Sequence, residues 1–197
     1  MLNIGVLVSG GGTNLQALID ACESGVIKSG KIVTVVSSKK DAYALTRAEN
    51  HGINSAVFSK KDYADKDALD EAIANHMKQM NVDLIVMAGY LSIVGEKLLK
   101  AYENKIINIH PSLIPSFCGD GFYGLKVHQA ALDYGVKVTG ATVHFVNEIT
   151  DGGKIILQKA VYINSDDTAE TLQKRVMEEA EWKILPEAVE LICSGKI

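Results

Sequence analysis

Residues 105–116, Lys-Ile-Ile-Asn-Ile-His-Pro-Ser-Leu-Ile-Pro-Ser, hold an amide and an imidazole two positions apart. Ile106, Ile107 and Ile109 are β-branched and read as a buried strand. Asn108 and His110 alternate with them at period two, so both leave the strand on one face. Pro111 and Pro115 have no N–H to donate and break the ladder. The pair therefore stands at a strand's C-terminal end, where an α/β protein opens its ligand crevice. An amide can hydrogen-bond a carbonyl oxygen or an oxyanion, and an imidazole can move a proton near neutral pH. Asp151, in Thr-Asp-Gly-Gly, is a third polar residue of interest; on its own it reads as a turn former. His144 is readable as a satisfied strand histidine, His51, His76 and His128 as structural residues on helices, and Cys118 as a loop thiol. No Ser or Cys is paired with a base as an evident nucleophile, and no ligand cluster suggests zinc.

A second chemical feature lies near the start of the chain. Asn-Ile-Gly-Val-Leu-Val (3–8) reads as a buried strand, Ser9-Gly10-Gly11-Gly12-Thr13-Asn14 follows, and a helical pattern begins at Leu15. Strand, glycine turn and helix start outline an anion site, because glycines let the backbone come close and the first helical N–H groups face the anion. A nucleoside-triphosphate loop of the Walker type needs Gly-Lys-Ser/Thr, and no Lys is present here. A dinucleotide fingerprint needs a third Gly where this chain has Leu15. The next strand, Lys31 to Val36, ends in Ser37-Ser38-Lys39-Lys40, without an acidic residue to hold a ribose diol. A phosphate monoester fits this loop better than NAD or ATP.

These residues need a scaffold. Apolar strands alternate with helical patterns through residue 110, with further strands at Ser55–Phe58 and Val82–Ala88 and helices near 41–51, 65–80 and 95–102. Lys66 falls in the polar first turn of the 65–80 helix. The loop Gly89-Tyr90-Leu91-Ser92-Ile93-Val94 is apolar enough to line a pocket for a flat heterocycle, or to be core. Residues 116–124 read as a loop and Leu125–Tyr134 as a helix. Val138–Val146 and Lys154–Ile163 read as a hairpin around the Ile149–Gly153 turn, which implies an antiparallel sheet edge. Asp166-Asp167-Thr168 caps a final helix that runs through Trp182 and bends near Pro186. The expected architecture is one α/β domain over 1–197, with a mostly parallel twisted sheet, helices on both faces and an antiparallel C-terminal edge. Its N-terminal half, about 1–100, carries the phosphate loop, and its C-terminal half the catalytic residues.

Composition sets the class. A chain of 197 residues with 47% hydrophobic residues can bury a globular core. Net charge is −4 and no block of Lys and Arg stands out, which argues against a nucleic-acid surface as the main business. Cys22, Cys118 and Cys193 are odd in number and lack metal or redox spacing, so a reduced, cytoplasmic setting is expected. The first residues read as a strand instead of a signal peptide, and no apolar run approaches membrane-spanning length.

Five segments taken in order resemble the phosphoribosylglycinamide formyltransferases, the folate-dependent enzymes of purine synthesis. They are Val-Ser-Gly-Gly-Gly-Thr-Asn-Leu-Gln (8–16), Asp-Leu-Ile-Val-Met-Ala-Gly-Tyr-Leu (83–91), Asn-Ile-His-Pro-Ser-Leu-Ile-Pro (108–115), Thr-Val-His-Phe-Val (142–146) and Asp-Gly-Gly-Lys-Ile-Ile-Leu-Gln (151–158). The resemblance covers essentially the whole chain and implies a Rossmann-like, formyltransferase-like fold. It implies that Asn108, His110 and Asp151 are catalytic, supported by Thr142 and His144. Gly12, Thr13, Asn14 and Glu181 would bind the substrate, glycinamide ribonucleotide. The co-substrate 10-formyltetrahydrofolate would lie along Leu91, Ser92, Ile93 and Val94 beside Asn108, its tail reaching Lys66. Asn108 and a protonated His110 would stabilise the oxyanion, with Asp151 raising the His110 pKa. The expectation includes no metal, nucleic-acid or membrane partner, and a monomer or homodimer. Three features depart from common relatives: Ser92 in place of Arg, a longer 117–124 loop, and Trp182 in place of His beside Glu181. Two rival functions remain at this stage. One is a formyltetrahydrofolate deformylase, which shares the trio but uses water and usually carries an extra N-terminal domain. The other is a non-catalytic sugar-phosphate-binding module, which would have no use for the trio.

Overall fold

The computed structural model describes all 197 residues. Seven strands form one sheet: β1 (Leu2–Val8), β2 (Gly30–Ser37), β3 (Asn54–Val57), β4 (Leu84–Met87), β5 (Ile106–His110), β6 (Val138–Phe145) and β7 (Ile155–Tyr162). Their spatial order is β3-β2-β1-β4-β5-β6-β7. The first five run parallel, and β6 and β7 are antiparallel, which makes the expected antiparallel edge. Period two decides what each strand buries. Ile4, Val6 and Val8 of β1, Leu84 and Val86 of β4, and Ile107 and Ile109 of β5 enter one core. Leu7, Ile85, Met87 and Ile106, on the other face, enter a second. Both faces are therefore covered, as near-continuous apolar runs demand of parallel strands. Leu7, Ile85 and Ile107 are fully buried, and burial of such a side chain contributes about 1.5–3 kcal/mol.

The helices divide accordingly. The first core is packed by α1 (Thr13–Glu23), α2 (Tyr43–Asn50), α6 (Ala169–Val176) and α7 (Trp182–Cys193), and the second by α3 (Lys66–Gln79) and α4 (Glu96–Ala101). A further helix, α5 (Leu125–Tyr134), ends at Gly135, whose φ of 81° takes the left-handed C-terminal position that glycine suits. Asp65 caps α3, its side chain accepting from Ala68 N–H, and Thr168 caps α6 through a capping box with Thr171.

The C-terminal helical segment is interrupted once. Pro186 lies inside α7, which stays helical from Trp182 to Cys193 although the proline has no N–H to give the Trp182 carbonyl. The irregularity lies five residues earlier. Met177–Glu181 forms a π-helical turn between α6 and α7. Such insertions widen the helix locally and often mark functional positions. No helix of the protein is long and apolar enough to cross a membrane.

Candidate active site

The sheet order reverses at β1, which lies between β2 and β4. Crevices in open α/β sheets form at such switch points, outside the C-terminal strand ends. The connections that leave β1, β4 and β5 there are residues 9–12, 88–95 and 111–124. A cavity of about 460 Å³ opens beside the last two, its wall including Asn14, Leu91–Val94, Asn108, His110, Gly119–Gly124 and Asp151.

Strand register places the polar trio. Asn108 lies opposite His144 and His110 opposite Thr142 across the β5–β6 pair. All four thus share one face, away from Ile107 and Ile109. Asp151 returns from the turn after β6 in the left-handed conformation, φ 55°, with its side chain nearly buried. Its Oδ2 stands 3.5 Å from His110 Nδ1 and its Oδ1 3.5 Å from His144 Nε2. The Gly119 N–H donates to Oδ2 at 2.9 Å. His144 Nδ1 donates to the Phe145 carbonyl at 2.8 Å, and its Nε2 lies 3.3 Å from the Asn108 amide nitrogen. Thr142 Oγ1 donates to Ser112 O at 2.7 Å and accepts from Ile114 N–H at 3.1 Å. It therefore pins the turn that follows His110.

The electrostatics differ from the sequence expectation. His110 Nε2 donates to the Phe117 carbonyl at 2.9 Å, which fixes that proton and leaves Nδ1 toward Asp151. Burial lowers the His110 pKa; Asp151 and the Phe117 carbonyl raise it, and His144 lowers it. The net direction is down, which favours the neutral ring. Asp151 acts in the expected sense but is outweighed, because desolvation penalises the charged form. For Asp151 itself burial works upward, but the contacts from His144, His110 and the Gly119 N–H hold its carboxyl below the usual range.

The glycine loop sits at the other end of the crevice. Gly12 precedes α1 with φ 71°, and a Cβ there would lie 2.6 Å from Ala44 Cβ, so both backbone and space require glycine. A Cβ on Gly10 or Gly11 would meet nothing within 4 Å. No side chain caps α1 and no acid lies in its first turn, which leaves its leading N–H groups for an anion. Asn14 and Glu181 both reach the cavity, and Asn14 Nδ2 donates to Glu181 Oε2 at 2.6 Å. Burial lifts the Glu181 carboxyl to about 7 against the effect of Asn14. Asn14 Oδ1 is buried without a partner.

The structure thus brings Asn108, His110, Asp151, His144, Asn14, Glu181 and Leu91–Val94 to one cavity. Thr142 acts from behind His110. Thr13 lines a neighbouring cleft, and Lys66 is exposed beside Gly95 at the end of the 89–95 loop, outside the cavity wall. His128, read from sequence as a structural helix residue, enters the wall next to His110. It is 1% exposed, neither ring nitrogen has a partner, and burial, with a smaller effect from neighbouring His110, lowers its pKa to about 4. An unpaired imidazole of this kind costs free energy unless something in the cavity meets it. Its place on the buried side of α5, with Val127 and Ala131, was the available signal. No three His, Cys, Asp or Glu side chains are grouped to share a metal ion.

Residues 2–189 match the formyl transferase family. The chain is 43% identical to phosphoribosylglycinamide formyltransferase of Haemophilus influenzae, over 100% of this chain and 90% of that protein. It superposes on glycinamide ribonucleotide transformylase 1 of Symbiobacterium toebii with a TM-score of 0.93 at 44% identity, covering 99% and 89% of the two chains. Against phosphoribosylglycinamide formyltransferase of Bacillus halodurans the TM-score is 0.91 at 34% identity, over 99% and 97%. Full-length identity at this level, with an Asn-His-Asp cluster on a cavity that Asn14 also lines, places the chain in the formyl transferase family, among the phosphoribosylglycinamide formyltransferases.

Proposed function

We propose that the protein transfers the formyl group of 10-formyltetrahydrofolate to the amine of 5-phosphoribosylglycinamide, a step of purine synthesis. The observation that carries this reading is the convergence of Asn108, His110 and Asp151 with Asn14 and Glu181 in one cavity. The nucleotide phosphate is assigned to the N–H groups of Gly12, Thr13 and Asn14, and the ribose or amine end to Glu181. The folate is assigned to Leu91–Val94 and Asn108, with its charged tail directed to Lys66. The amine attacks the formyl carbon, and the carbonyl oxygen becomes an oxyanion that accepts from the Asn108 amide. Preorganised donors at such an oxygen often supply the largest part of acyl-transfer catalysis. Neutral His110 takes the proton lost by the attacking nitrogen on Nδ1. The imidazolium so formed lies against Asp151, which stabilises it. It then gives the proton to the folate N10 as the C–N10 bond breaks, releasing tetrahydrofolate and the formylated amide. Thr142 and His144 hold His110 and Asn108 in place.

The test is to mix the protein with 10-formyltetrahydrofolate, with and without glycinamide ribonucleotide, and follow tetrahydrofolate. Turnover that needs the amine is the expected result. Amine-independent turnover makes the protein a hydrolase, and no turnover makes it a binding module.

A further inference from the structure

Helix α2 backs the glycine loop from behind. The Ala44 N–H donates to Gly10 O at 3.1 Å, and Arg47 Nε donates to Gly11 O at 2.9 Å. A planar trans peptide points its C=O and N–H in opposite directions. Holding those two carbonyls against α2 therefore turns the N–H groups of Gly11 and Gly12 away from it, to the side an incoming anion must use. Arg47 does more than accept this role passively. Its Nη1 donates to Gln16 Oε1 at 3.0 Å, in the first turn of α1, and its guanidinium lies 5.0 Å from the centroid of the Tyr43 ring. One side chain thus joins the loop, α1 and α2, and leaves a fixed cation one residue from the N–H cradle. The close approach of Gly12 to Ala44 Cβ leaves the loop no slack to find another shape. A lysine has no planar fork and cannot hold both acceptors while stacked on a ring.

We infer that Arg47 is a positioning residue for the phosphate site, presenting the Gly11–Asn14 N–H groups and favouring a doubly charged monoester through its own charge. This rests on the phosphate-loop assignment above. The experiment measures inorganic phosphate as a competitor of glycinamide ribonucleotide in wild type, Arg47→Met and Arg47→Lys, alongside KM for both substrates, kcat and thermal melting. In the wild type, phosphate should compete with the nucleotide and not with the folate. Arg47→Met should raise both the phosphate inhibition constant and the nucleotide KM about tenfold, the scale of one charge-assisted hydrogen bond, with folate KM and kcat within about twofold. Arg47→Lys should fall between the two. Absence of competition in the wild type sinks the phosphate-site assignment and this inference with it. Unchanged competition in Arg47→Met sinks the inference alone. A parallel loss in folate KM, kcat and melting temperature makes Arg47 a general structural residue and also overturns it.

Discussion

His110 is held between opposing influences, and the balance sets its role. Burial disfavours the imidazolium, while Asp151 at 3.5 Å favours it. A group neutral at rest and charged only in the intermediate suits a base that becomes an acid. The kcat/KM of the wild type should therefore rise with pH through a pKa below the ordinary histidine value of about 6.5. Asp151→Asn retains a residue that tolerates the left-handed backbone at φ 55° and removes the charge. The acid limb should then move to still lower pH, because the charged form loses its partner. The kcat should fall roughly 100-fold, within the usual range for a disturbed proton transfer. Phosphate competition should stay unchanged. A pH–rate profile with His110 followed by NMR checks this; near-normal kcat and an unshifted His110 would leave Asp151 a turn residue.

Two elements shape the side of the crevice proposed for the nucleotide. Gly12 starts α1 in a conformation that L side chains avoid, against Ala44. Gly12→Val should raise the nucleotide KM far more than the folate KM, and equal effects would count against the assignment. The π turn at Met177–Glu181 is the second device. It holds one residue more than an α-helical path would need, so it resets the register between α6 and α7 and turns Glu181 inward to Asn14. Deleting the exposed Glu179 should restore a continuous helix and move Glu181 off Asn14. The nucleotide KM should rise at least about tenfold, with melting temperature kept within roughly 5 °C because the packed faces of α6 and α7 survive. A variant with wild-type KM would show that the π turn is incidental.

Across the whole molecule, two buried groups in one cavity give opposite pH dependences of stability. His128 has a folded pKa of about 4, below its unfolded value, so its contribution is lost as pH falls from 6.5 toward 4. Glu181 has a folded pKa of about 7, above its unfolded value, so its contribution is lost as pH rises from 4.5 toward 7. Each is worth at most about 3 kcal/mol. Relative to the wild type, His128→Gln should lose stability as pH rises across that window, and Glu181→Gln should gain it; denaturant melts at pH 4.5 and 7 measure both. Parallel curves would mean that neither group is shifted on folding. Much of the architecture was legible in advance, because β-branched runs, glycine turns and caps act within a few residues of themselves. The strand carrying Asn108 and His110, the Gly10–Asn14 turn before α1 and the Val138–Ile163 hairpin are of that kind. The family resemblance added the expected roles of Asp151 and Glu181. Tertiary structure alone decided that α5 turns His128 into the cavity wall, that the Phe117 carbonyl takes the Nε2 proton of His110, and that α2 clamps the glycine loop through Arg47. It also decided that burial outweighs Asp151 at His110. Desolvation and long-range contacts depend on which distant elements close over a residue, and spacing along the chain carries no record of them.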